Sequence, residues 1–224
     1  MSDTTLWSLI IKTGVLVGIF GLFVFIPAGT FDWVEAWICL IIIFIIYEAM
    51  VIYFWKYDRE LIQSRGSFNQ PKEKWDILVY ASLMISLFSI LIVAGLDFRF
   101  ELSTIPEIIS IGAFGMVIIG LFIYFLVMKE NTYLSKVVEV QEDQQVISTG
   151  PYRYVRHPLY LGNSVTVIGV AISLGSLLAL VPAFIFIVLM VVRLIFEEKT
   201  LEVELQGYLK YKKKVRFRLI PYIW

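Results

Sequence analysis

The chain has 224 residues, of which 59% are hydrophobic and 17% are charged, and its nineteen basic residues balance nineteen acidic ones. Soluble domains carry about 45–50% apolar and about 25% charged residues, so this composition and the mean hydropathy of +0.81 predict an integral membrane protein. Zero net charge gives no support for a nucleic-acid partner. A single cysteine and a single histidine exclude a disulfide framework and a zinc site built from Cys and His ligands.

Hydrophobic runs long enough to cross a bilayer, about 20 residues each, follow one another along the chain. Four qualify directly, at positions 6–26, 33–55, 75–96 and 105–128. A fifth apolar region, 158–196, is interrupted at 173–176, which predicts a helical hairpin with arms over 158–174 and 176–196. The first arm is short for a full crossing, and Pro182 should kink the second. We expect an all-α membrane protein of about six transmembrane helices, the last two forming the hairpin.

The distribution of basic residues predicts the orientation of this bundle. With the N-terminus in the cytoplasm, every basic residue except Arg99 falls on the cytoplasmic side. Both termini are then cytoplasmic, together with a polar loop over 129–157 and a tail over 197–224, where we expect any chemistry. The acidic start of the chain and the lack of a small-residue cleavage site predict that the first span is retained rather than cleaved as a signal peptide.

The most informative segment of the polar loop surrounds the only histidine. Gly150-Pro151 predicts a turn, and His157 before Pro158 should cap the start of the fifth apolar region beside Arg156. Such a helix end, with an arginine next to it, favours a carboxylate or phosphate. The aromatic residues expected around it are Tyr152, Tyr154 and Tyr160. The alternative is an ordinary belt of interfacial aromatic and arginine side chains in which His157 only caps the helix.

A second charged cluster ends the last apolar run. Arg193 and Glu197 are four residues apart and share a helix face, and Glu198 is adjacent. The cluster is either an Arg–Glu pair that finishes the helix at the membrane surface, or a carboxylate pair that holds an amine, a ribose diol or a sulfonium-bearing ligand. Tyr208 and Tyr211 could cover such a ligand with their rings.

Two further features leave alternatives open. Glu48 lies within the second apolar run, where an acid is either functional or hydrogen-bonded between helices. The basic segment 210–218 is either a surface helix attracted to anionic headgroups or a direct substrate contact.

The combined pattern resembles a known family. The motifs that carry the resemblance are Gly150-Pro-Tyr, Arg156-His157-Pro158-x-Tyr160, Glu197-Glu198 about 40 residues later, and Tyr208-x-x-Tyr211. The sequence resembles the isoprenylcysteine carboxyl methyltransferase family, especially its bacterial and archaeal branch. The resemblance to phospholipid N-methyltransferases is more distant. The resemblance to the isoprenylcysteine carboxyl methyltransferase family covers nearly the whole chain, with its specific part in the C-terminal half. It implies one domain, 1–224, with a two-helix N-terminal part over 1–56 and a catalytic core over 75–224.

The resemblance implies a membrane methyltransferase that uses S-adenosylmethionine, bound in a cytoplasmic-side pocket between the loop, the hairpin and the tail. The segment 144–147 would contact the adenosyl part, and Arg193 with one of Glu197 or Glu198 would form a charged pair near the reacting group. The cofactor-binding residues that it implies are Gln141, Gln144, Gln145, Val146, Ile147, Tyr152, His157, Pro158, Leu159, Tyr160, Glu197, Glu198, Tyr208 and Tyr211. The catalytic ones are Arg156, His157, Arg193, Glu197 and Glu198, with no metal ligand.

The methyl acceptor stays open at this point. A carboxylate of the isoprenylcysteine type, or another lipid-like or apolar acceptor, would enter from the bilayer, and a prokaryotic cytoplasmic membrane is favoured over the endoplasmic reticulum. A carboxylate nucleophile needs no general base, whereas an amine or thiol would need a glutamate or His157. The competing functions are an NADPH-dependent membrane reductase and a non-catalytic membrane protein whose loop binds a partner. Oligomeric state is not readable from the sequence.

Overall fold

The computed structural model describes residues 5–66, 74–135 and 137–224, and within them it contains α-helices, one short 3₁₀ helix and no β-strand. The helices are α1 (Leu6–Ala28), α2 (Val34–Tyr57), α3 (Arg59–Gly66), α4 (Lys74–Phe100), α5 (Glu107–Glu130), α6 (Pro158–Ser173), α7 (Leu180–Glu204) and α8 (Tyr208–Lys214). The 3₁₀ helix covers Gly150–Arg153, between α5 and α6. The predicted all-α membrane architecture is confirmed.

Five of these helices, α1, α2, α4, α5 and α7, are long and apolar enough to cross a membrane. Helix α6 is apolar but has 16 residues, which corresponds to about 24 Å at about 1.5 Å per residue. It is therefore shorter than the roughly 30 Å hydrocarbon core. The chain breaks after α6, where Gly175 adopts φ +74, but α7 begins at Leu180 and continues to Glu204, so it does not coincide with the predicted arm over 176–196.

The turn between α6 and α7 lies at the end of the bundle that is remote from the polar loop. Ser176 donates a hydrogen bond from its hydroxyl to Asp97, which is buried near the end of α4. Asp97 also accepts the backbone N–H of Ser103 at 2.7 Å. Helix α6 therefore runs from the level of the polar loop to the level at which α4 ends.

Helices α5 and α6 form the most extensive contact of the bundle. A Cβ atom on Gly120 would lie 2.6 Å from the carbonyl oxygen of Gly162, and a Cβ on Gly162 would lie 2.9 Å from that of Gly120. These backbones touch because neither residue has a side chain, as is common where membrane helices pack closely. The contact fixes α6 against α5 and brings the start of α6 beside the loop that follows α5.

Pro182 does not occupy the position that the sequence suggested. Helix α7 begins at Leu180, so Pro182 lies in its first turn, where a backbone N–H has no partner within the helix. Pro182 therefore removes no hydrogen bond within the helix, and the reason for the predicted kink does not apply. The carbonyl of Pro182 accepts a hydrogen bond from the Ser86 hydroxyl at 2.7 Å, which joins α7 to α4.

Candidate functional site

A cavity lies where the polar loop, the start of α6, the last turns of α7 and α8 meet. It contains about 920 Å³ not filled by atoms, including the part that opens to solvent. The predicted site residues that line it are Gln144, Gln145, Val146, Ile147, Tyr152, Arg156, His157, Pro158, Leu159, Tyr160, Arg193, Glu197, Tyr208 and Tyr211. The loop, α6, α7 and α8 are distant in sequence, so only the fold brings these side chains together.

Three of the expected residues do not line this cavity. Gln141 is exposed, and its side-chain amide donates to the carbonyl of Tyr133 at 2.9 Å while its backbone N–H donates to the Gln144 side chain at 2.9 Å. It therefore shapes the loop that carries Gln144. Tyr154 is 60% exposed and is not part of the cavity wall, so the expectation that it surrounds the site is wrong. Glu198, the third, lies behind the wall.

Glu198 is buried among the side chains of Arg156, His157 and Arg218. Its Oε1 lies 2.6 Å from Arg156 Nε and 3.3 Å from His157 Nε2, and its Oε2 lies 2.9 Å from Arg218 Nε. Both carboxylate oxygens are therefore occupied by protein partners. Burial of a carboxylate is tolerated only with such compensation. This arrangement joins α7 to the start of α6 and to the tail.

Glu197 has a different environment, although it is adjacent in sequence. Its side chain is 27% exposed, and it lines the cavity. Glu197 accepts a hydrogen bond from the Tyr160 hydroxyl, and its Oε1 lies 4.0 Å from His157 Nδ1. Successive residues are rotated by about 100° around an α-helix, so Glu197 faces the cavity and Glu198 faces the tail. The sequence had left open which glutamate is the one in contact with a ligand.

His157 is held between these two glutamates. Its two ring nitrogens face different carboxylates, and its ring stacks on that of Tyr160 with 5.7 Å between the centroids and 6° between the planes. The backbone N–H of His157 donates to the carbonyl of Arg218 at 2.9 Å. The imidazole is therefore fixed by contacts from α6, α7 and the tail.

Arg193 is paired across the bundle. Its Nε lies 2.9 Å from Asp76 Oδ1, and both residues are buried. Asp76 Oδ2 accepts the backbone N–H of Val138 in the polar loop at 2.9 Å. Arg193 is therefore buried against α4 and paired with Asp76, rather than paired with Glu197 at the membrane surface.

Asp76 and Arg218 are site-shaping residues that the sequence analysis did not identify. Asp76 has one local signal, an acid in the first turn of a helix, where the helix dipole favours negative charge. Nothing near it in sequence indicates an arginine 117 positions away. In the sequence, Arg218 is one of several cations in the basic segment 210–218, and nothing distinguishes it from the others.

Aromatic side chains form the wall on the side of α8. Asn131 donates to the Tyr152 hydroxyl at 2.9 Å, and the Tyr211 hydroxyl donates to the Tyr152 carbonyl at 2.7 Å. Tyr208 is 4% exposed, and its hydroxyl has no hydrogen-bond partner among the described residues. Burial raises the pKa of Tyr208, with a further contribution from the negative charge of Glu198. At neutral pH its phenol is thus a protonated donor without an acceptor.

The phospholipid methyltransferase family model matches residues 108–205. This segment contains α5 beyond its first residue, the polar loop, α6, α7 and Leu205, which together provide most of the cavity wall. The match indicates a membrane methyltransferase. No curated protein matches the chain. The matched segment stops before α8, so the tyrosines of α8 and the cations of the tail are features outside it.

Proposed function

We propose that the protein is an S-adenosylmethionine-dependent membrane methyltransferase that methylates a carboxylate of the isoprenylcysteine type or another lipid-like acceptor. The observation that carries the proposal is one cavity whose wall contains both the partly exposed Glu197 and Tyr208, whose buried hydroxyl has no hydrogen-bond partner among the described residues. A buried donor without an acceptor costs about 1–3 kcal/mol. A ligand that accepts this hydrogen bond recovers that cost.

The residues of the cavity fit the chemical groups of the cofactor. Glu197 can accept hydrogen bonds from hydroxyl groups or bind an amino group, and Val146 and Ile147 offer apolar surface to a base. The faces of Tyr208 and Tyr211 suit a sulfonium centre, since aromatic faces attract cations. When bound, the cofactor supplies an activated methyl group.

The contribution of the protein is then orientation and exclusion of water. His157 and Arg193 are fixed before any ligand arrives, the first by Glu197 and Glu198 and the second by Asp76. Preorganised groups lower the entropic cost of aligning two reactants. Arg193 lines the cavity, where its positive charge can orient an anionic acceptor. A carboxylate acceptor needs no base, whereas an amine or thiol would lose its proton to Glu197 or His157.

The first test of this proposal is ligand binding. Full-length protein in nanodiscs is titrated with S-adenosylhomocysteine and, separately, with NADPH in a calorimeter. We expect saturable binding of S-adenosylhomocysteine and none of NADPH. Binding of NADPH alone would support the reductase alternative, and binding of neither would contradict both enzymes.

The second test identifies the class of acceptor. Methyl-tritiated cofactor is incubated with the protein and a lipid extract of the source membrane, and the labelled product is treated with alkali. A carboxyl methyl ester releases its label as volatile methanol, which is the result we expect. A label that is stable to alkali would show an N- or S-methyl product and overturn the carboxylate part of the proposal.

A further inference from the structure

The tail carries a group of exposed cations on the surface opposite the candidate site. Lys210, Lys213 and Lys214 are exposed and share one face of α8, at spacings of three and four residues, and Arg216 follows them. We call these four residues the cationic face. Within the described ranges, no carboxylate forms an ion pair with any of them. The opposite face of α8 is buried through Tyr208 and Tyr211.

The position of the tail is fixed at the level where the chain leaves the apolar part of the bundle. Only three residues, 205–207, separate the end of α7 from the start of α8. The backbone N–H of Arg156 donates to the carbonyl of Phe217 at 3.0 Å, so the tail lies beside the start of α6. The cationic face is therefore near headgroup level, where electrostatic attraction acts within a Debye length of about 8 Å at physiological ionic strength.

Apolar side chains are exposed in the same segment. Leu209 is 56% exposed, Tyr222 is 89% exposed and Ile223 is 77% exposed. A segment that combines lysines with exposed aromatic and aliphatic residues is typical of peptides that lie in the interface of an anionic bilayer. The tail follows a membrane helix, so the bilayer surface always lies next to it. An anionic bilayer is therefore the polyanion that the tail necessarily meets.

We propose that the last part of the tail, residues 208–224, docks on the surface of an anionic lipid bilayer through the cationic face, and that this contact stabilises the cavity wall. Arg156 donates from Nη1 to the carbonyls of Val215 and Arg216, both at 2.8 Å, and Arg218 pairs with Glu198. If the tail leaves its position, Arg156 and Glu198 lose partners. The docking is independent of the reaction, whereas its effect on cofactor affinity rests on the proposed function.

The docking is tested by amide hydrogen exchange of the full-length protein in two kinds of nanodisc, one of phosphatidylcholine and one that also contains phosphatidylglycerol. We expect the amides of α8 to exchange at least about fivefold more slowly with phosphatidylglycerol, since a single cation near an anionic surface already contributes about that factor. The triple variant Lys210→Gln, Lys213→Gln, Lys214→Gln should lose this difference, and the corresponding triple arginine variant should retain it. Lys129→Gln, an exposed lysine at the end of α5, is the matched control and should also retain it.

Equal exchange of α8 in both nanodiscs would overturn the docking proposal. Slower exchange that appears only when polyglutamate is added to phosphatidylcholine nanodiscs would assign the cationic face to a soluble polyanion, and would overturn it as well. Calorimetry with S-adenosylhomocysteine on the same samples separates the two proposals. Lipid-dependent protection without any binding contradicts the methyltransferase, whereas binding without lipid-dependent protection contradicts only the docking.

Discussion

At the scale of single residues, the site depends on the direction in which neighbouring side chains of one helix point. Glu197 and Glu198 are adjacent, yet one lines the cavity and the other is enclosed by Arg156, His157 and Arg218. Sequence alone identifies the pair but not this division, because the division depends on a tail that folds back from the end of the chain. The two glutamates should therefore respond differently to substitution.

Glu198→Gln should unfold more easily, because it leaves buried Arg156 without its counter-charge. Breaking a buried pair in this way costs about 3–5 kcal/mol, so the thermal midpoint of the protein in nanodiscs should fall by roughly ten degrees. Glu197→Gln should keep a midpoint near that of the wild type and lose affinity for S-adenosylhomocysteine by calorimetry. A lower thermal midpoint of Glu197→Gln, together with a loss of affinity but not of stability in Glu198→Gln, would contradict the roles given to the two glutamates.

Tyr208→Phe removes one hydroxyl that has no partner among the described residues. Stability should stay unchanged or rise slightly, since a buried unmet donor is removed. The affinity for S-adenosylhomocysteine should fall by about five- to tenfold, which corresponds to one hydrogen bond. Tyr154→Phe, at an exposed ring outside the cavity, is the matched control. Equal affinity of both variants would mean that the Tyr208 hydroxyl does not contact the ligand.

At the scale of elements, the sequence predicts what depends on local composition. Helices α1, α2, α4 and α5 lie within a few residues of the predicted apolar runs, because length and hydropathy suffice to define a membrane span. Helix α7 continues to Glu204, past the predicted end at 196, because its last turns are polar and carry no hydropathy signal. The region 158–196 divides where a glycine with positive φ ends α6. The pairing of Asp76 with Arg193 depends on how α4 packs against α7, and no periodicity within either helix contains that information.

Asp76→Asn tests this link between α4 and α7. The amide oxygen can still accept one hydrogen bond, but buried Arg193 loses its counter-charge, so we expect a loss of about 3 kcal/mol in the free energy of unfolding. Adding Arg193→Met should recover part of that loss, since the unpaired charge is gone. The four proteins form a double-mutant cycle measured by denaturant titration in detergent. Additive effects of the two substitutions would show that the pair is not coupled.

The contact between α5 and α6 can be tested with alanine substitutions in α5. Gly120→Ala would place its Cβ 2.2 Å from the Thr166 hydroxyl and 2.6 Å from the Gly162 carbonyl, so α6 must move. Overpacking of this kind costs about 1–3 kcal/mol, and it should also weaken binding because α6 carries His157 at its start. Gly115→Ala has no atom within 4 Å of its new Cβ and should be tolerated. Equal thermal midpoints of the two variants would contradict the close approach.

At the scale of the whole molecule, the site lies at one end of the bundle, and α6 runs from that end to the opposite end. The turn after α6 contacts Asp97 near the end of α4, and Leu174 and Gly175 border the same hollow as Trp33, just before α2. If α6 is counted as a crossing, as the sequence predicts, the chain crosses the membrane an even number of times, and both chain ends should lie on the same side. The excess of basic residues then assigns that side to the cytoplasm, which stays a prediction until labelling decides it.

Cysteine labelling tests that orientation with little background, because the one native thiol, Cys39, is 3% exposed. Lys129→Cys lies at the exposed end of α5 beside the site, and Thr104→Cys lies in the exposed connection before α5. In sealed spheroplasts, a membrane-impermeant maleimide should label Thr104→Cys at once and Lys129→Cys only after lysis, because the positive-inside rule places the cavity end in the cytoplasm. Labelling of Lys129→Cys in intact spheroplasts would place the cavity outside and remove it from the cytosolic supply of S-adenosylmethionine.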